Sequence, residues 1–248
     1  MYHLLVAFQF LTRLPVPKNL NPKESDLTKS AYYFPVVGAA LALISWGIYF
    51  GLSKLGIDRS ICITILICIM MMLTGGFHED GLADTFDGIG GAFDKQKKLE
   101  IMKDSRIGTY GSLALFSALL LRFTSLSSTS DDLILESLLS ALMLGRLSSN
   151  VIIPFTPYSR ADDKSKSKPV IESIGRSKFL IPFIYTFGAI YFLLGLTPLL
   201  VLLSIFTVTI IAARWYFLKQ IDGITGDILG GVNIITELLV LIYISTLT

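Results

Sequence analysis

Residues 61–88 have the sequence ICITILICIMMMLTGGFHEDGLADTFDG, in which thirteen uncharged residues are closely followed by a cluster of ionisable ones. The cluster consists of His78, Glu79, Asp80, Asp84 and Asp87. A charged side chain in lipid hydrocarbon costs roughly 2.5–3.5 kcal/mol even on lenient scales, so these groups must face protein or water. The stretch therefore predicts a membrane protein with a polar site at the border of an apolar segment.

The composition of the whole chain agrees with a membrane protein. Of its 248 residues 52% are hydrophobic and only 16% are charged, and the mean hydropathy is +0.66. Soluble domains contain about 25% charged residues. We therefore expect an all-α polytopic integral membrane helical bundle, with residues 1–248 forming one membrane-embedded catalytic domain.

The apolar segments predict about seven spans and a short N-terminal segment. The spans are expected at 31–53, 61–76, 110–121, 133–155, 179–196, 198–213 and 231–247. The second and third are short against the roughly 20 residues that a perpendicular span needs. Residues 1–14 are apolar but too short to cross, so we expect an interfacial or re-entrant segment that ends at Pro15 and Pro17.

The basic residues predict the orientation of the chain. With a cytoplasmic N-terminus, seventeen of the 21 Lys and Arg residues fall in cytoplasmic segments. The outer loops then hold only Lys54, Arg59 and Arg122, while Arg146 lies inside a span. This bias predicts a multi-pass protein of the cytoplasmic (inner) membrane whose active-site loops face the cytoplasm.

The acidic cluster is the strongest candidate for a metal site. In a helix, Asp80, Asp84 and Asp87 lie at i, i+4 and i+7 and share one face, where like charges repel. A bound Mg²⁺ would explain the arrangement, because Mg²⁺ takes one or two carboxylates and completes its shell with substrate phosphates. The alternative is a solvated helix start. His78 is a candidate general base or a structural hydrogen-bonding residue.

Two further stretches carry candidate substrate-binding residues. In MKDSRIGTYG (102–111), Lys103 and Arg106 are suited to phosphate, with Asp104 between them. The alternative is an ordinary basic loop. Asp94 is expected to cap the helix that follows it.

The last candidate group lies in and before the final apolar segment. Asp227 and Glu237 follow helical spacing and can share a face, and an acid within a span is expensive unless paired. Arg146 is the candidate partner for such a carboxylate. We see no nucleic-acid-binding module and expect no nucleic acid partner.

These motifs resemble the cobalamin synthase family, the adenosylcobinamide-GDP ribazoletransferases. The resemblance rests on HEDGLADTFDG (78–88), IMKDSRIG (101–108) and TGDILG (225–230), with FLTRLPVP (10–17) and FPVVG (34–38) near the N-terminus. It covers nearly the whole chain in the same order, and residues 156–177 match least.

The resemblance implies the final joining step of adenosylcobalamin (vitamin B12) biosynthesis. A hydroxyl of α-ribazole, or of its 5′-phosphate, would attack the cobinamide phosphate of adenosylcobinamide-GDP and release GMP. Mg²⁺ would be held by Asp80, Asp84 and Asp87, while Lys103 and Arg106 would neutralise the leaving GMP. A carboxylate or His78 would accept the proton. The sequence leaves open which group does so, and whether the protein forms a homo-oligomer in the lipid bilayer.

Two other functions are compatible with an aspartate-rich membrane border. CDP-alcohol phosphotransferases have Arg after the Ala of their motif, whereas Asp84 follows Ala83 here. A secondary transporter would use Asp80, Arg146 and Glu237 as an ion path, but such groups lie near the bilayer midplane, often in repeated halves. We find no repeat, and most acids lie at the membrane edge.

Overall fold

The computed structural model describes residues 1–17, 19–159 and 179–247, and in these ranges the chain is built from α-helices. The helices are α1 Tyr2–Leu11, α2 Glu24–Ser30, α3 Phe34–Lys54, α4 Arg59–Thr74, α5 Phe77–Gly91, α6 Lys95–Ile101, α7 Thr109–Ser128, α8 Ile134–Ile152, α9 Leu180–Leu194, α10 Leu196–Ile221 and α11 Gly226–Ile244. The expected all-α membrane bundle is confirmed. Lys18, residues 160–178 and Thr248 lie outside the described ranges, and with them most of the stretch 156–177 in which the resemblance is weakest.

The number of spans is smaller than the seven expected. Among the described residues, five helical segments are long and apolar enough to cross a membrane: Glu24–Lys54, Thr109–Ser128, Asp131–Phe155, Leu196–Ile221 and Gly226–Ile244. A sixth is obtained if α4 and α5 are counted as one broken span. The helix α9 has 15 residues, about 22 Å at 1.5 Å per residue, which is short of a hydrocarbon core of about 30 Å.

Two glycines separate the apolar helix α4 from the acidic helix α5. Gly75 and Gly76 both have positive φ, 66° and 69°, a conformation that ends α4 because glycine alone adopts it without steric cost. The two helices meet at 87°. The run from 61 to 88 therefore forms a sharp corner, and its charged half becomes a helix of its own.

The interior of the bundle is formed by α8 and α11. Nearly three-quarters of each of these spans is buried, whereas most of α10 is exposed to the surroundings. Gly38 lets α3 lie directly on α8, because a Cβ there would be 2.4 Å from the carbonyl oxygen of Leu142. Gly81 does the same for α5 and α11, with a Cβ position 2.7 Å from the carbonyl oxygen of Asp227. The acidic helix is thus packed against the centre of the fold.

An ion pair lies at each end of the bundle. At one end Arg59, which begins α4, lies 3.4 Å from the carboxylate of Asp131, and Tyr49 donates a hydrogen bond to the same group. At the other, here called the basic end, α6 is joined to the end of α10 by the ion pair of Lys95 and Asp222 at 2.6 Å. The expected cap of α6 is confirmed, since Asp94 accepts a hydrogen bond from the backbone N–H of Lys97.

The N-terminal segment is shorter than a span, as expected. Its helix α1 has ten residues and stacks Phe10 on Phe34 of α3. The backbone N–H of Arg13 donates to the carbonyl of Leu73 at 2.7 Å, which attaches the segment to the end of α4. Whether it lies at the membrane surface or re-enters stays a prediction.

Candidate active site

The three aspartates of α5 share one helical face, but their surroundings differ. Asp80 is exposed, Asp84 is half-buried and Asp87 is buried. The helix starts at Phe77, directly after the corner formed by Gly75 and Gly76, so Asp80 lies in its first turn. A carboxylate near a helix N-terminus is favoured by the helix dipole. The sequence pattern therefore produces a graded row of acids that runs from the surface into the protein.

Asp87 is already bound to the protein at both carboxylate oxygens. One accepts a hydrogen bond from the backbone N–H of Gly108 at 2.7 Å and the other from that of Gly111 at 2.8 Å. These donors belong to the start of α7, where backbone N–H groups have no helical partner. A Cβ on either glycine would lie 2.4 Å from a carboxylate oxygen of Asp87. The two glycines thus serve close approach to Asp87, and Asp87 anchors α7.

The carboxylates of α5 fit a magnesium ion only if water and substrate complete its coordination shell. Within the described ranges, no three or more His, Cys, Asp and Glu side chains are arranged to hold a metal. Asp80 and Asp84 remain on the accessible part of the α5 face, one helical turn apart. Mg²⁺ commonly binds through one or two carboxylates and completes its shell with water and substrate phosphate. Two carboxylates therefore satisfy its chemistry, provided that substrate supplies the rest.

Asp227 approaches the acidic helix where α5 and α11 cross. It lies in the first turn of α11, whose N-cap Thr225 accepts a hydrogen bond from the backbone N–H of Ile228. Its backbone lies against Gly81, which places Asp227 between the levels of Asp80 and Asp84. Glu237 is ten residues further along α11, about 15 Å at 1.5 Å per residue. Asp227 and Glu237, which the sequence grouped on one helical face, therefore belong to different sites along α11.

Glu237 belongs to a buried ion-pair network that joins four helices. Arg122 of α7 lies 3.1 Å from a carboxylate oxygen of Glu79 on α5 and 2.9 Å from one of Glu237 on α11. Arg146 of α8 contacts the other oxygen of Glu237 and donates to Asn233. Arg122, Arg146 and Glu237 are each at most 3% exposed. Two arginines and two glutamates balance within this network, as buried charges require.

The contact of Arg146 with Glu237 agrees with the partnership expected from the sequence. The placement of Arg122 in an outer loop was wrong, because α7 continues to Ser128 and leaves Arg122 inside the span. Glu79 lies off the aspartate face, and its pair with Arg122 had no indication in the sequence. The signal available in the sequence was the position of Arg122, which lies six residues before the Ser-rich end of its helix and therefore inside the helix.

His78 is buried beside this network. Only 5% of it is exposed, and its Nδ1 has no hydrogen-bond partner among the described residues. With Arg146 and Asn233 it lines a cavity of about 40 Å³ whose walls include Phe10 and Phe77. A space of this size holds water molecules and not a substrate ring. The geometry separates His78 from the exposed carboxylate of Asp80.

The basic loop before α7 carries an internal ion pair. Arg106 binds the carboxylate of Asp104 through Nε and Nη2, the latter at 2.7 Å, and Lys103 is exposed. The guanidinium of Arg106 lowers the pKa of Asp104 to about 2. Asp104 therefore stays ionised down to that pH and keeps Arg106 oriented. Because Asp87 binds Gly108, this loop is fixed next to the acidic helix.

The fold and site define a polytopic helical membrane protein with carboxylates and a basic loop gathered at one end. The profile of the CobS family, cobalamin-5-phosphate synthase, matches residues 3–245, and the chain belongs to this family. It is 41% identical to a Shewanella amazonensis protein, over 95% of this chain and 92% of the other. It is also 38% identical to one from Caldanaerobacter subterraneus subsp. tengcongensis, over 98% of both chains. Both relatives are named adenosylcobinamide-GDP ribazoletransferase. No solved structure matches the chain.

Removing one charge from the buried network should destabilise the fold. The change Arg122→Gln leaves Glu79 and Glu237 without their shared partner, and we expect a loss of about 3–5 kcal/mol in the free energy of unfolding. Denaturant unfolding in detergent measures it. The matched control is Lys97→Gln, which breaks an exposed pair with Glu100 and should cost less than about 1 kcal/mol. Equal stability of the two variants would contradict a structural role for the network.

Asp87 and Asp80 should respond differently to the same isosteric change. In Asp87→Asn the amide nitrogen faces a backbone N–H donor, so we expect a loss of about 1–3 kcal/mol in the free energy of unfolding. Asp80→Asn should change the free energy of unfolding by less than about 1 kcal/mol, because Asp80 is exposed and loses only its interaction with the helix dipole. Thermal unfolding of both variants decides the point. A fully stable Asp87→Asn protein would show that the contacts with Gly108 and Gly111 do not hold α7.

Proposed function

We propose that this protein is an adenosylcobinamide-GDP ribazoletransferase that performs the final joining step of adenosylcobalamin synthesis. The observation that carries the proposal is the family match over residues 3–245, supported by relatives of that name across nearly the full chain. Family membership favours this reaction over the CDP-alcohol phosphotransferase and the transporter considered from the sequence. Substrates are adenosylcobinamide-GDP and α-ribazole, or α-ribazole 5′-phosphate.

The reaction is a phosphoryl transfer. A ribose hydroxyl oxygen of α-ribazole forms a new bond to the phosphorus attached to cobinamide, and the bond from that phosphorus to the bridging oxygen of the pyrophosphate breaks. GMP leaves with the bridging oxygen, and the hydroxyl proton passes to a base. α-Ribazole 5′-phosphate reacts through the same ribose hydroxyl, which is therefore not the 5′-hydroxyl, and gives adenosylcobalamin 5′-phosphate. Such a transfer needs positioned groups and neutralised charge more than covalent help from the protein.

Asp80 and Asp84 are the residues that would hold a magnesium ion against the substrate pyrophosphate. When bound, the ion neutralises the charge of the pyrophosphate and favours departure of GMP. We leave Asp87 out of this set, because both of its oxygens accept backbone hydrogen bonds. The backbone of Asp227 lies against Gly81 where α5 and α11 cross, and we keep Asp227 as a candidate substrate-binding residue.

Lys103 and Arg106 are assigned to the departing GMP. Asp104 holds the Nε side of Arg106 and leaves the remaining guanidinium donors for phosphate oxygens. The acceptor of the hydroxyl proton is a carboxylate of α5 rather than His78. His78 is buried, and its backbone packs on Gly230 of α11, which is a structural contact.

Arg146 and Glu237 bind each other, and we infer that they act on substrate only indirectly, by fixing α5 and α11. The basic end of the bundle is assigned to the cytoplasmic face of the inner membrane by its lysines and arginines, with the N-terminus on the same side. Both substrates then reach Asp80 from the cytoplasm.

Replacing Asp80 should abolish catalysis without unfolding the protein. For Asp80→Asn we expect kcat to fall by about 10²–10³-fold, the magnitude seen when one stabilising group is removed from a transition state. Release of GMP by the purified protein in liposomes, with Mg²⁺ and both substrates, gives the rate. EDTA should stop the wild-type reaction, and added Mg²⁺ should restore it.

The matched control is Asp132→Asn, an exposed aspartate before α8 at the opposite end of the bundle. It should keep wild-type activity. Near-normal turnover in Asp80→Asn, or turnover unaffected by EDTA, would contradict the proposed metal site. A folded wild-type protein that releases no GMP would contradict the proposed function itself.

A further inference from the structure

Arg13 lies at the corner between α4 and α5, directly before the acidic helix. Its backbone N–H donates to the carbonyl of Leu73 at 2.7 Å, and the residue is exposed. Its side chain crosses Gly75, because a Cβ on that glycine would lie 3.0 Å from Cγ of Arg13 and closer still to Nε. The next residue, Gly76, accepts a hydrogen bond from the backbone N–H of Asp80 at 2.8 Å. The corner thus places a cation beside the first turn of α5, and none of the foregoing assignments uses it.

Arg13 differs from the other arginines that the structure describes. The other five each bind a protein group through the side chain; they are Arg59, Arg106, Arg122, Arg146 and Arg214. Within the described ranges, the guanidinium of Arg13 forms neither a hydrogen bond nor an ion pair. A guanidinium carries five N–H donors and a permanent positive charge. All the donors of Arg13 are therefore available to a ligand.

The N-terminal segment borders the aspartate face of α5. Phe10 of α1 meets Phe77 edge to face, with the ring centroids 5.8 Å apart. In a helix, Phe77, Asp80 and Asp84 lie at i, i+3 and i+7 and therefore share a face. The contact of the two rings thus brings the segment that carries Arg13 to the end of the face at which Asp80 lies.

Basic groups consequently flank the row of carboxylates at both ends. Lys103 and Arg106 belong to the loop that is fixed beside Asp87, and Asp87 is seven residues from Asp80, about 10 Å along the helix axis. In phosphoryl transfer, the attacking and leaving oxygens lie roughly in line on opposite sides of the phosphorus. With the departing GMP at the basic loop, the acceptor approaches from the end at which Arg13 lies.

An acceptor that carries a phosphate needs a cation at this end. The phosphomonoester of α-ribazole 5′-phosphate has a charge of about −1.5 to −2 at pH 7, and the carboxylates of Asp80 and Asp84 repel it. A guanidinium pairs with a phosphate through two parallel N–H donors. Unphosphorylated α-ribazole has no group of this kind. Arg13 is therefore placed to distinguish the two acceptors.

We propose that Arg13 binds the 5′-phosphate of α-ribazole 5′-phosphate and makes this nucleotide the preferred acceptor. The proposal rests on the proposed function, which supplies the acceptor. Contact with the 5′-phosphate holds the ribose at the first turn of α5, with its attacking hydroxyl directed at the cobinamide phosphate. Arg13 binds and orients the acceptor and exchanges no proton with it.

The kinetics of the two acceptors measure this contact. In the wild-type protein we expect a lower KM for α-ribazole 5′-phosphate than for α-ribazole. Arg13→Gln should raise KM for the phosphorylated acceptor about 10- to 100-fold, the effect of removing hydrogen bonds between charged groups. It should leave KM unchanged for α-ribazole and for adenosylcobinamide-GDP. Arg13→Lys keeps the charge without the paired donors and should recover part of the loss.

Binding without turnover separates this contact from the reaction. Radiolabelled α-ribazole 5′-phosphate, without adenosylcobinamide-GDP, should bind the wild-type protein in liposomes and bind Arg13→Gln about 10- to 100-fold more weakly. The matched control is Lys29→Gln, which removes an exposed cation of α2 and should keep the wild-type Kd. Arg13→Gln should unfold at nearly the wild-type temperature, because the Arg13 side chain forms no hydrogen bond or ion pair within the described ranges.

Four results would overturn the proposal. Equal KM values of the wild-type protein for the two acceptors would show that the 5′-phosphate is not bound. An equal rise in both acceptor KM values, or a clear loss of thermal stability, would show that Arg13 supports the end of α4, where a cation is also favourable. A rise in KM for adenosylcobinamide-GDP alone would assign Arg13 to the donor pyrophosphate. The same weakening in Lys29→Gln would reduce the effect to general electrostatic attraction.

Failure of this proposal and failure of the proposed function are distinguishable. In each of the four cases, release of GMP by the wild-type protein leaves the proposed function standing. Binding of α-ribazole 5′-phosphate that depends on Arg13, without any release of GMP, would support the contact and contradict the proposed function.

Discussion

The pairing of Arg122 and Arg146 with Glu79 and Glu237 is the constraint on which the rest of the structure depends. These four groups lie inside a largely apolar bundle, where each charge is tolerable only beside its partners. The pairs connect α5, α7, α8 and α11, so they fix how these helices rotate and how deep each one lies. Hydrophobic packing alone would leave these degrees of freedom weakly specified, because apolar helix faces slide past each other at little cost.

The network acts on the candidate active site through α5. Glu79 holds one end of this helix against Arg122, and Asp87 holds the other end against the start of α7. Between these two attachments Gly81 allows α5 to lie directly on α11. Asp80 and Asp84 are then left on the outer face of a helix that is fixed at both ends. A rigid row of carboxylates is what positioning and charge neutralisation in phosphoryl transfer require.

The sequence predicted the features that depend on local pattern. Helical spacing predicted the shared face of the three aspartates, and composition predicted the all-α membrane bundle. The prediction from the sequence failed where the role of a residue is decided by a contact with a residue far along the chain. Asp87 has the same spacing as Asp80, and only the approach of Gly108 and Gly111 makes it an anchor. Arg122 was placed outside because the apolar run ends near it, while its two glutamate partners are 43 and 115 positions away. The spans were overcounted because the apolar runs at 61–76 and 179–196 form helices of only 16 and 15 residues.

Isotope transfer tests the central claim most directly. α-Ribazole labelled with ¹⁸O at the attacking ribose hydroxyl, incubated with adenosylcobinamide-GDP and the purified protein in liposomes, should give adenosylcobalamin that retains the label in its phosphodiester. The GMP released in equal amount should be unlabelled, because its oxygen comes from the pyrophosphate bridge. Label in GMP, or GMP released without a labelled corrinoid product, would contradict attack by the acceptor hydroxyl at the cobinamide phosphate.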